Sequence, residues 1–278
     1  MSRQKSMERA AVNRHSITEG VIWQQLLLFF FPILFGTFFQ QLYNTVDAVV
    51  VGQYVGTEAL AAVGGTTGTL VNLFVGFFTG LASGATVTIS QFFGAKQDEM
   101  VSQAVHTAIA FSIAVGAGMM VIGLFGAPYA LKAMGTPDSV MDYATTYLRI
   151  YFIGIIPNLI YNMGAGILRA IGDSRRPLFF LIAGCFTNIV LDLLFVVKFN
   201  MEVAGAAWAT IISQAVSAAL VLLVLTRTSE SYKLHIKKLR LDGFLVRRIV
   251  EIGLPAGLQS VMYNISNIII QSSVNSLG

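Results

Sequence analysis

Residues 32–56 read PILFGTFFQQLYNTVDAVVVGQYVG, a run in which Asp47 is the one charged side chain. Upstream the apolar character extends to about residue 22. About 20 such residues, wound as an α-helix at 1.5 Å each, cross the ~30 Å hydrocarbon core of a bilayer, where backbone polar groups must be satisfied within the segment. The run is therefore a membrane-spanning helix. Six further windows of the same kind follow, so that the expected spans are 22–51, 60–92, 101–127, 139–168, 177–198, 203–226 and 245–278. Glycines, with Asp and Pro, punctuate the short separators: Gly52 and Gly56, Gly94 to Asp98, Gly135 to Asp138, and Gly172 to Pro177.

Composition agrees. Of 278 residues 55% are apolar and 12% charged, about half the charged share of a soluble domain, and the mean hydropathy is +0.71. The fold class expected is all-α and integral to the membrane: a six-helix transmembrane bundle over 1–226, a basic linker over 227–244, and a seventh helix over 245–278. Cys185 is the single cysteine, which excludes a disulfide framework or a cysteine-based metal cluster from this chain. The pI near 9.2 does not point to nucleic acid, because the basic residues lie in short loops between apolar runs. Met1 to Gly20 is polar and lacks a signal-peptide pattern.

Those basic residues orient the chain. Arg3, Lys5, Arg9 and Arg14 in the tail, Lys96, Arg169, Arg175, Arg176, and the seven between Arg227 and Arg248 all fall on one side of the membrane. The opposite loops hold Lys132 and Lys198, with Arg149 at the outer start of the fourth span. The positive-inside rule then places the N-terminus and the linker in the cytoplasm and the protein, multi-pass, in the cell membrane. The linker reads either as an amphipathic helix on anionic lipid or as a solvated connection.

Phe31-Pro32 in the first span is matched by Leu254-Pro255 in the seventh, about 223 residues later. Six crossings separate the two, an even number, which makes the units parallel repeats. By that arithmetic two complete units need about 450 residues, and this sequence is expected to lack most of a second lobe.

Two acids lie inside the apolar runs, Asp47 and Asp192. A carboxylate there costs about 2.5–3.5 kcal/mol even on insertion scales, and usually faces a cavity, finds a partner and marks an ion or proton path. Counting 1.5 Å per residue puts both about 6–10 Å below the outer boundary. Asn188 is one turn from Asp192 on the same face, and Thr210 on the returning sixth span is level with it. These four oxygen-bearing groups suit Na⁺ or a shared proton. Burial and mutual repulsion oppose two negative charges, so the two ions should compete. No His or Cys shares the slab: His15 and His235 are expected in the cytoplasm and His106 at the inner interface.

The sequence resembles the multidrug and toxic compound extrusion (MATE) transporters in Pro32–Gly56, with its late Val-Asp pair, and in Leu168–Pro177, LRAIGDSRRP. The resemblance implies twelve helices in two lobes and an N-lobe cation site made by an Asp of helix one, an Asn and an Asp four residues apart on helix five, and a Thr on helix six. Asp47, Asn188, Asp192 and Thr210 match it residue for residue. It implies secondary efflux of small, hydrophobic, often cationic organic molecules, driven by Na⁺ or H⁺, with no other cofactor and no enzymatic step. A flippase for a lipid-linked precursor is the nearest alternative and calls for several cationic residues in the cavity, for which Arg149 is the candidate; a channel or membrane scaffold is another.

Further polar residues are cavity candidates, interhelical hydrogen bonding being the alternative. Gln40, Tyr43 and Asn44 share the Asp47 stripe of the first span. Asn158, Tyr161 and Asn162 follow Pro157 in a kink-prone stretch of the fourth. Gln259, Tyr263 and Asn267 repeat the pattern in the seventh, where they are expected to face the first lobe. That last helix, without the rest of its lobe, is expected to pack poorly.

Overall fold

A computed structural model describes residues 22–276, and side-chain surroundings over 23–267. The N-terminal tail, with His15 and four of the orienting basic residues, lies outside the described residues. Helix α1 is Ile22–Tyr54, α2 Thr57–Gly64, α3 Thr66–Gly94, α4 Asp98–Ala133 and α5 Asp138–Ile153. Then come α6 (Ile155–Ala170), α7 (Arg175–Asp192), a π-helical segment (Leu193–Lys198), α8 (Glu202–Arg227) and α9 (Gly243–Ser276). The described chain is all-helical, as the apolar windows require.

Five helical stretches are long and apolar enough to cross a membrane: Trp23–Tyr54, Thr57–Gly94, Asp98–Ala133, Arg175–Lys198 and Glu202–Arg227. A sixth is the pair α5–α6, bent by 52°. These correspond to the first six expected spans; α9, with Arg247, Arg248 and Glu251 near its start, is not among them. Expected breakers perform as such: Gly135 and Gly172 take φ of 72° and 88°, which a side chain would oppose. The bend falls at Gly154, because Pro157 has no N–H to offer the Ile153 carbonyl four residues back, and Ile211 of α8 packs where a Gly154 side chain would be.

The core has two parts, one built around Val51, Leu131, Leu148 and Val203 and the other around Ile89, Ile109, Leu168 and Leu225. Large apolar side chains such as Phe125, Phe179, Phe186 and Val190 point outward instead. In water that surface would be a liability; against lipid it is the expected exterior.

Two expectations are corrected. Helix α9 does not pack poorly: its backbone lies directly on α3, with Gly84 facing Gly253, Gly80 facing Gly257 and Gly76 facing Ser260. Small residues on both sides let the helix axes approach closely. The linker is not a surface helix; it is a largely exposed connection pinned at two points. Tyr232 and Leu234 are buried, the Leu234 N–H donates to the Leu225 carbonyl at 2.8 Å, and Ile236–Lys238 forms a single 3₁₀ turn. The His235 N–H donates to His106 Nε2 at 2.9 Å, while His106 Nδ1 lies 2.6 Å from the Ser102 carbonyl. A carbonyl only accepts and an N–H only donates, so in this pair of contacts His106 Nδ1 is the donor and Nε2 the acceptor. The two imidazoles stack 6.0 Å apart. Desolvation first, then Lys238, Lys233 and His106, hold His235 below the usual imidazole range.

Candidate functional site

Three helices bring the intramembrane acids together. Asp47 sits on α1 two turns before its end, Asn188 and Asp192 on the last turns of α7, and Thr210 on the third turn of α8. All four are buried, Asn188 and Asp192 completely. The α7 helix changes to π winding immediately after Asp192, a local expansion common at functional sites. Asp192 faces inward and Leu193 outward at this junction.

The Asp47 and Asp192 carboxyls adjoin one another. Asp47 Oδ1, both oxygens of Asp192 and both amide atoms of Asn188 are buried without a hydrogen-bond partner. The Thr210 hydroxyl donates to the Ala206 carbonyl at 2.9 Å and is within hydrogen-bond reach of Tyr43 and Tyr147. Orphaned buried polar atoms cost about 1–3 kcal/mol each. An oxygen-seeking cation, or protons on the carboxyls, relieves that cost, and the donor set fits a hard ion.

Sequence reasoning missed two members of this cluster. Tyr147 and Tyr151 on α5 are buried and stack with rings 6.4 Å apart. Tyr147 neighbours Asp47, Asp192 and Thr210, and both tyrosines neighbour Tyr43. The one available signal was their i, i+4 spacing on a helix whose charges, Asp138, Asp142 and Arg149, fall elsewhere.

Tyr43 also lines a cavity of about 290 Å³ enclosed by α1, α3, α6, α7 and α8. Five of the sequence candidates are in its wall: Gln40, Tyr43, Asn158, Tyr161 and Asn162. Asn162 Nδ2 donates to the Asn158 carbonyl at 2.9 Å, and the Tyr161 hydroxyl donates to the Pro177 carbonyl at 3.2 Å, tying α6 to α7. Gln214, Cys185 and Arg169 are in the wall as well. Arg169 is thus a residue of the cavity and not of a loop, whereas Arg149 is exposed.

Four candidates are elsewhere. Asn44 is exposed, 3.4 Å from Gln41 Oε1, in an open groove between α1 and α2. The α1 stripe rotates past the cavity there, since 100° per residue separates Asn44 from Tyr43. Gln259, Tyr263 and Asn267 are exposed, because α9 turns Gly253, Gly257 and Ser260 toward the bundle in their place.

A lobe of membrane-crossing helices, bent beside a cavity with polar lining and a buried acid pair, defines a multi-pass helical membrane protein. The MatE family model matches residues 32–194. The chain belongs to the MatE family, whose members are membrane transporters and not enzymes. It is 31% identical over 273 residues to the probable multidrug resistance protein YpnP of Bacillus subtilis (strain 168), covering 95% of this chain and 59% of that protein. It is 31% identical over 266 residues to the probable multidrug resistance protein YoeA of the same organism, covering 92% and 57%. A crystal structure of MATE in the bent conformation superposes with a TM-score of 0.84 at 25% identity, over 93% of this chain and 58% of that one. The outward-facing conformation of a multidrug resistance MATE transporter gives 0.79 at 26% identity, over 87% and 53%. The chain therefore spans under two thirds of the length of these relatives.

Proposed function

We propose that this lobe belongs to a secondary transporter that exports small hydrophobic organic molecules, cationic ones included, in exchange for Na⁺ or H⁺ taken up at Asp47 and Asp192. The observation that carries the reading is the pair of adjoining, buried carboxyls within hydrogen-bond reach of each other, connected to the cavity through Tyr43. Na⁺ is cargo here: Asp47, Asp192, the Asn188 carbonyl and Thr210 supply its oxygens. Protons compete for the same carboxylates, so either ion loads the site and excludes the other. Tyr43 shares both compartments, and its movement with the occupancy of the acid pair would reshape the cavity wall. The second lobe supplies the other face of the pathway, and the N-terminus and linker lie in the cytoplasm of a cell-membrane protein.

The test is dye export from proteoliposomes of the complete transporter under a Na⁺ gradient and, separately, a pH gradient. Asp47→Asn and Asp192→Asn each abolish driven export while leaving membrane insertion and thermal unfolding close to the parent. Parental export rates in both variants would refute the assignment.

A further inference from the structure

We propose that Arg169 is an oxyanion-binding residue at the inner end of the cavity, where it takes the phosphate or carboxylate of an amphiphilic ligand. The inference concerns the cargo of the transporter proposed above but rests on the cavity alone, so it stands or falls separately from ion coupling at the acid pair. Arg169 is in the last turn of α6 and lines the 290 Å³ cavity. Among the described residues it has no carboxylate: Asp173, the acid nearest in sequence, pairs with Arg176 at 3.1 Å. Its ionisable neighbour is Tyr161, and that hydroxyl already donates to Pro177. The surrounding wall is polar and neutral, with Asn162, Ser174 and Gln214.

A guanidinium carries five donors and no acceptor, and a cation withdrawn from water without a counter-charge is costly. A planar oxyanion answers both, accepting two parallel hydrogen bonds from the fork. Position adds direction. Tyr43 lines the end of the cavity nearer the acid pair, whereas Arg169 lies fourteen residues into α6, about 21 Å from that helix's start along its axis. The acids stand beyond one end and the arginine at the other. A ligand's cationic part accordingly belongs toward Tyr43 and its oxyanion at Arg169, with the apolar body against Leu178 and Leu181 between them.

The oxyanion has two possible sources, the headgroup of an inner-leaflet phospholipid or an acidic group of the cargo. Calorimetric titration of dodecyl phosphate into the detergent-solubilised protein, with dodecanol as its neutral counterpart, reads the site directly. The expected result is saturable binding of the phosphate alone. Arg169→Gln should raise its Kd about tenfold or more. Arg169→Lys, which keeps the charge and loses the fork, should raise it by less. Arg149→Gln should leave it unchanged. Should Arg169→Gln fail to fold, the raised Kd of Arg169→Lys still carries the test. Maleimide labelling of Cys185, in the same wall, should slow when dodecyl phosphate binds. Slowing in phosphatidylglycerol nanodiscs without added phosphate identifies the lipid as the source; slowing only on addition identifies the cargo. Parental affinity in both Arg169 variants, or equal binding of dodecanol, overturns the proposal.

Discussion

Substituting Gly253 by alanine tests the α3–α9 seam and, with it, whether the last helix is part of this lobe. A Cβ at Gly253 would lie 2.6 Å from the Leu81 carbonyl oxygen and 2.9 Å from its Cα, all backbone atoms. Ordinary contact begins at 3.4 Å, so the helices must separate by about 0.8 Å. No rotamer relieves the clash, and a gap of 0.5–1 Å forfeits about a quarter to a half of the dispersion energy of each facing pair along the seam. Overpacking of this kind costs about 1–3 kcal/mol, equivalent to roughly a 5- to 150-fold shift toward the opened state. Gly118→Ala on α4 is the matched control, since nothing lies within 4 Å of its added Cβ and alanine is the better helix former. Unfolding in mixed detergent, with proteolysis at Arg247 and Arg248 reporting release of α9, should show Gly253→Ala opening well before the parent and Gly118→Ala opening with it or later. If the two variants are indistinguishable, α9 does not rest on α3 and the seam is wrong.

Tyr43→Phe should preserve ligand binding in the cavity but slow ion-driven export, because it removes the hydroxyl shared by cavity and acid cluster; equal export by the two proteins would remove Tyr43 from the coupling. A cysteine introduced as Lys237→Cys in a Cys185→Ala background should react with membrane-impermeant maleimide only from the cytoplasmic side, and labelling from outside would invert the topology. The docked linker should loosen in acid. His235 is held below the usual imidazole value, about 6.5, so the proton binds better when the linker is released, and docking is complete above that pH and lost as pH falls below it. A spin label at Lys237→Cys should gain mobility between pH 7.5 and 5.5, and unchanged spectra would count against the latch.

The sequence by itself determined the solvent and the list of spans, because a charge-free window of about 20 residues has one stable environment whatever its neighbours. It also marked Asp47 and Asp192, since an acid in such a window is costly enough to be conspicuous without any knowledge of packing. Helix phase and depth counting added Asn188 and Thr210, and the resemblance to the transporter family matched all four. What a one-dimensional pattern does not contain is the rotation of each helix about its axis. Tyr43 and Asn44 are adjacent in sequence and equally polar, yet one faces the cavity and the other an open groove. Only the packing of α1 on α7 and α8 separates them. Likewise Gln259 and Tyr263 look like a cavity stripe until the glycines on the neighbouring face of α9 meet those of α3. Arg169 counted in the sequence as a loop charge, and the 52° bend at Gly154 together with the close approach of α7 made it a wall of the cavity. Tyr147 joined the acid pair for the same reason, since contact between α5 and α1 is a tertiary fact with no local signature.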